Sequence, residues 1–78
     1  MIEAVKRIKE MEALFDFLLS VPKSEAHKFK KERDMLISYY ESKLWRYDFE
    51  LDEKGLLPKD LKRGVLSEDG VYNFITED

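Results

Sequence analysis

The sequence predicts an all-α fold: an antiparallel helical hairpin with unequal arms, capped by a turn segment and a short C-terminal helix. Three observations predict it. Apolar residues recur every three or four positions through the first 20 residues and again after Ser24. No glycine or proline interrupts the run from Ser24 to Lys54. All three glycines and the second proline then fall between residues 55 and 70.

The first helix is expected over residues 1–20. Ile2, Val5, Ile8, Met11, Phe15 and Leu18 make its apolar stripe, widened by Leu14, Phe17 and Leu19. Lysines and glutamates take the other face, and Glu3 precedes Arg7 at the favourable i,i+4 spacing. Pro22 disfavours helical geometry at Val21 and has no N–H to donate, so the helix should stop near Ser20.

Ser24 is the expected N-cap of a long second helix over residues 24–54, with Glu25 in its first turn. Its stripe reads Phe29, Leu36, Tyr40, Leu44, Tyr47 and Leu51, with Ile37 alongside. Arg33 lies on the same stripe, which places that turn within reach of solvent. Such a helix spans ~45 Å against ~27 Å for the first. The connection Val21–Lys23 is short, which makes the two antiparallel. The first helix then runs out near residue 43, short of Trp45, Tyr47, Phe49 and Leu51. Leaving those side chains in water forfeits roughly 1.5–3 kcal/mol each. Only the chain from Leu56 onward remains to cover them.

Residues 55–78 are read as turns and a short helix. Gly55 suits the position just past a helix end. Residues 58–63 make one helical turn closed by Gly64. Ser67 is the next N-cap, with Glu68 and Asp69 in the first turn, and Leu66 and Val71 at staple spacing. The last helix is expected from Glu68 to about Ile75. Leu57, Leu61, Leu66, Tyr72 and Ile75 are the side chains expected to bury Trp45.

At 78 residues the chain is read as one domain, and a domain this small buries only about 60% of its unfolded surface. It has no cysteine, so disulfides and thiolate metal sites are excluded, leaving helix packing and oligomerisation as staples. A hydrophobic content of 44% argues against disorder, and the net charge of −3 selects no class of partner. No apolar run approaches the ~18 residues of a membrane span, and the N-terminus lacks a signal-peptide pattern. These features read as a soluble cytoplasmic protein.

The string Trp45…Asp48…Asp52-Glu53…Gly55…Leu57-Pro58, then Asp60-Leu61-Lys62-Arg63-Gly64-Val65-Leu66-Ser67-Glu68-Asp69 and Tyr72-Asn73, resembles domain-of-unknown-function family 4298. Tyr39-Tyr40 and Ser42 also fit, and the resemblance covers roughly residues 39 to 74. The family comprises small bacterial proteins. The resemblance implies a small helical protein and no activity.

The acidic run Asp48, Glu50, Asp52, Glu53 fails as an EF-hand, because Glu53 stands where glycine is needed and Lys59 where the bidentate glutamate is needed. Acids near a helix C-terminus oppose its dipole, and Asp48 and Asp52 repel at i,i+4. Lys62 and Arg63 are the expected internal partners, with solvation or an outside partner as alternatives. His27 is the only histidine and reads as a surface residue. Lys23, Lys28, Lys30, Lys31 and Arg33 form a basic cluster, but the sequence pI of about 5.2 argues against nucleic acid. Tyr39, Tyr40, Trp45, Tyr47 and Phe49 read as core or as a partner surface.

No nucleophile–base pair, phosphate-binding glycine loop or metal quartet is visible, so no catalytic, cofactor or metal residue is assigned. Candidate structural or partner-binding positions are Tyr39, Trp45, Asp48, Asp52, Lys62, Arg63, Ser67, Glu68, Asp69 and Tyr72. The leading expectation is a non-enzymatic protein–protein interaction module that self-associates, with the stripe of Ile2, Val5 and Ile8 as one candidate surface. The alternatives are a small regulator or antagonist of another protein, phage- or defence-related, and a nucleic-acid binder acting through residues 23–33.

Overall fold

The structure is a computed structural model that describes residues 2–76. Its described elements are α1 (Ile2–Ser20), a 3-10 segment (Lys23–Phe29), α2 (Lys30–Tyr40), α3 (Lys43–Glu53), a 3-10 turn (Gly64–Leu66) and α4 (Glu68–Thr76). The class is all-α. Along α1 the buried positions are Ala4, Ile8, Glu12, Phe15 and Leu18, a stripe of three- and four-residue steps. Ile8 is wholly buried and belongs to the core, Val5 is half-buried, and the side chain of Ile2 lies outside those described. Phe17 and Leu19, expected to widen the stripe, are exposed.

The single helix expected over 24–54 is instead three segments. Its start is 3-10 because the Pro22 carbonyl accepts from Glu25 N–H at 2.9 Å, an i→i+3 bond, so Pro22 rather than Ser24 takes the cap position. No residue of Lys23–Phe29 is fully buried, so little packing selects the α-helical period there.

The second break is at Glu41–Ser42. Ser42 is extended (φ −91°, ψ 164°), and its hydroxyl both donates to the Tyr39 carbonyl (2.6 Å) and accepts from Trp45 N–H (3.3 Å). One serine therefore closes α2 and caps α3, satisfying a donor that a helix start otherwise leaves open. The break resets the helical phase. A continuous helix would bury Tyr40, Leu44 and Tyr47; α3 instead buries Trp45, Asp48 and Leu51, and leaves Leu44 and Tyr47 exposed.

α3 ends as expected at Gly55, which adopts φ 70°. Gly55 N–H bonds the Asp52 carbonyl and Leu56 N–H the Leu51 carbonyl, both at 3.0 Å, which is the paired arrangement of a Schellman motif. Beyond it, Pro58–Leu61 is a turn closed by Leu61 N–H to the Pro58 carbonyl, not a helical turn; Gly64 opens the next 3-10 turn rather than ending a helix. Ser67 caps α4 as expected, its hydroxyl accepting from Gly70 N–H at 3.2 Å.

The 3-10 turn Gly64–Leu66 is where the fold converges, for it packs against α1, α3 and α4. Val65 and Leu66 are buried beside Ile8, Leu36, Leu57, Leu61 and Val71 in one core. Phe74 docks α4 onto α1 through an edge-to-face contact with Phe15, ring centroids 5.7 Å apart.

Candidate functional site

Three helices meet on one carboxylate. Asp48 of α3 has no solvent exposure. Arg7 of α1 donates to its Oδ2 through Nε at 2.8 Å and to its Oδ1 through Nη2, a two-pronged guanidinium–carboxylate pair. Tyr39 of α2 donates its hydroxyl to Oδ2 at 2.7 Å. Arg7 thus turns inward and not toward Glu3. Burial holds the Tyr39 phenol well above its usual range, and the hydrogen bond to Asp48 and the charge of Asp48 add to the shift, partly offset by Arg7. The bond to Asp48 likewise raises the Arg7 guanidinium, against the opposing effect of burial. Both groups therefore stay protonated at neutral pH, and the carboxylate is taken up by internal donors.

A second polar knot lies at the convergence point. Trp45 is 8% exposed, and its indole Nε1 donates to the Val65 carbonyl at 2.8 Å. On the other side of the same residue, Val65 N–H donates to Glu12 Oε1 at 3.0 Å. Both polar groups of Val65 are thus satisfied by side chains from α1 and α3, as a buried backbone requires. Gly64 leaves room for the Glu12 carboxylate: a Cβ at Gly64 would sit 2.9 Å from Oε2. Phe49 stacks on the indole at 5.1 Å and Tyr40 meets its edge at 5.1 Å.

The expected pairing of Asp48 and Asp52 with Lys62 and Arg63 divides. Asp52 does pair with Arg63, at 2.6 Å and partly buried. Asp48 pairs with Arg7 instead, because the reset phase of α3 points it inward. Lys62 lies 3.8 Å from Asp16 with both side chains largely exposed, a contact of little energetic weight. Trp45 is buried as expected, in one core with Leu57, Leu61 and Leu66, while Ile75 is only partly buried against that core and Tyr72 is 56% exposed. Tyr39 is core, Ser67 a helix cap and Asp69 exposed; the side chain of Glu68 lies outside those described. Of the residues missed in the sequence, Glu12 had a signal, an acid four positions after Ile8 on the buried stripe. Arg7 had none.

In these knots the two Asp48 oxygens and both backbone polar groups of Val65 already have partners inside the chain. Among the described residues, no group of three or more metal-binding side chains comes together. The candidate surface is a cleft between α1 and the loop after α3. Val5, Lys6, Lys9 and Glu10 form one wall and Leu56, Leu57 and Pro58 the other. It continues along α1 past Ala13 and Asp16 toward Asp60, Leu61 and Lys62. Leu56 is half exposed at its edge. No described helix is long and apolar enough to cross a membrane.

Comparison with known proteins bears on the family alone. No curated protein and no solved structure matches. A family model, the domain of unknown function DUF4298, matches residues 8–78. The match reaches well into α1, farther than the motifs of residues 39–74, and takes in Glu12, Trp45, Asp48, Gly64 and Val65. The chain belongs to the DUF4298 family.

Proposed function

We propose that this protein is a non-enzymatic interaction module that self-associates through the cleft between α1 and residues 56–58. The observation that carries the reading is the cleft itself. The wall of Leu56, Leu57 and Pro58 is apolar, Leu56 stands half exposed at its edge, and the facing wall holds Lys6, Lys9 and Glu10 beside Val5. Charges of both signs suit a self-complementary twofold contact, in which a lysine of one copy can face the carboxylate of the other. An apolar centre with a charged rim is the common anatomy of such contacts. The short chain supplies the motive, since burial across copies adds to a limited internal core.

Light scattering across a concentration series tests this. The expected result is a dimer or larger species at micromolar concentration that reverts toward the 9.3 kDa chain in Leu56→Glu. Leu56 is outside the core, so the variant keeps its helicity. A mass of 9.3 kDa at every concentration up to the millimolar range refutes the proposal.

A further inference from the structure

At the other end of α1 lies a second surface of different character. A cavity of about 190 Å³ opens between the end of α1, the 3-10 segment and α4, with Leu19, Val21, Ala26, Phe29 and Phe74 in its walls. The charged residues in its lining are Lys23 and Arg33, both cationic. Exposed Phe17 and Leu19 extend the apolar surface of this end of α1. Lys28 is exposed on the 3-10 segment and meets Glu25 at 3.3 Å, and Lys30 and Lys31 are exposed at the start of α2, where they border Asp34 and Met35. The chain carries a net charge of −3, yet residues 23–33 hold five cationic side chains against two acids, Glu25 and Glu32.

The size of the cavity narrows its occupant. It is below the ~300–1,000 Å³ of a small-molecule cleft. It is close to the ~150 Å³ of a cavity that takes up benzene. One aromatic or branched aliphatic side chain fills it. We infer that this cavity receives a single large apolar side chain from an acidic segment of another protein, with Lys23 and the neighbouring lysines drawing in the flanking carboxylates. The seven-residue 3-10 segment fits such a role. Such runs seldom exceed three or four residues, and this one has no fully buried side chain to hold it, so it can adjust around an inserted anchor. An anionic membrane would use the lysines but has no need of a one-side-chain cavity. This surface lies ~20 Å along α1 from Val5, and so is separate from the self-association cleft.

The test uses the full chain, phosphatidylserine vesicles as a membrane control, and three labelled peptides, the first two glutamate-rich. One carries a central phenylalanine, one alanine in its place, and one the phenylalanine among lysines. Titration is read by fluorescence anisotropy and by amide shifts in the nuclear magnetic resonance spectrum. The phenylalanine–glutamate peptide should bind saturably and shift the amides of Leu19, Val21, Ala26 and Phe29. The alanine peptide should bind more than about tenfold more weakly, as loss of a buried aromatic implies. The lysine peptide should not bind, and raising salt from about 0.1 M to about 1 M should weaken the first complex severalfold. Lys23→Glu and the cavity-filling Ala26→Phe, both at exposed positions, should each reduce binding with helicity unchanged. Leu56→Glu should leave it intact, which separates this site from self-association. Equal binding of the phenylalanine and alanine peptides, shifts confined to residues 56–62, or binding only to phosphatidylserine vesicles would overturn the inference.

Discussion

Replacing Arg7 with methionine keeps the aliphatic stem and removes the guanidinium. Asp48, wholly inaccessible to solvent, is then left with the Tyr39 hydroxyl and no cation. Removing one partner of a buried ion pair costs about 3–5 kcal/mol, because the other charge stays in a medium that solvates it poorly. The Arg7 side chain is itself 21% exposed, so water reaches the vacated edge and the cost should fall near the lower end, about 3 kcal/mol. A chain of this length has about 4–12 kcal/mol to lose. Asp48→Asn alone keeps the shape and an acceptor for Tyr39, and frees Arg7 to turn to water; it should cost about 1.5–3 kcal/mol. The telling variant is the double. With the carboxylate gone, Arg7→Met no longer strands a charge, so Arg7→Met/Asp48→Asn should be more stable than Arg7→Met alone. Urea unfolding followed by circular dichroism and by Trp45 fluorescence measures all three. A single Arg7→Met within about 0.5 kcal/mol of the parent, or strict additivity in the double, would refute the reasoning.

Three further outcomes are expected. Trp45→Ala should cost about 3–5 kcal/mol and nearly unfold the chain; in the parent, tryptophan emission should be blue-shifted and shielded from iodide, and a chain ending at Gly64, which lacks Val65, should lose both properties. Ser42→Ala should cost about 1 kcal/mol by circular-dichroism melting, and Ser42→Gly only a few tenths. Stability should fall as pH rises past about 10, the ordinary phenol pKa, because Tyr39 keeps its proton when folded and gives it up when unfolded; Tyr39→Phe should flatten part of that alkaline decline in a pH series of melting temperatures.

The helical class, the end of α3 at Gly55 and the Ser67 cap could be read directly, because each rests on residues adjacent in sequence. The burial of Trp45 by the C-terminal segment followed from the apolar content of that segment. The break at Ser42 was hidden, since serine neither breaks a helix by itself nor must cap one; only its bonds to both Tyr39 and Trp45 make it do so. A reading without that break carries the wrong phase into α3 and pairs Asp48 with Lys62 and Arg63 rather than with an arginine 41 positions away. The Asp52–Arg63 pair survived because its partners are only 11 positions apart across one turn. The clefts were illegible for the same reason as Arg7: they form between segments distant in sequence.

The double grip on Val65 has a consequence for the chain as it is made. Glu12 reaches it from 53 positions upstream and Trp45 from 20. A nascent chain emerges with its first three helices before the residue that both side chains hold. Until Val65 is made, Phe15, Leu36 and Trp45 have no turn to close over them. A chain cut short before residue 65 therefore lacks the group that both side chains hold and is open to proteolysis.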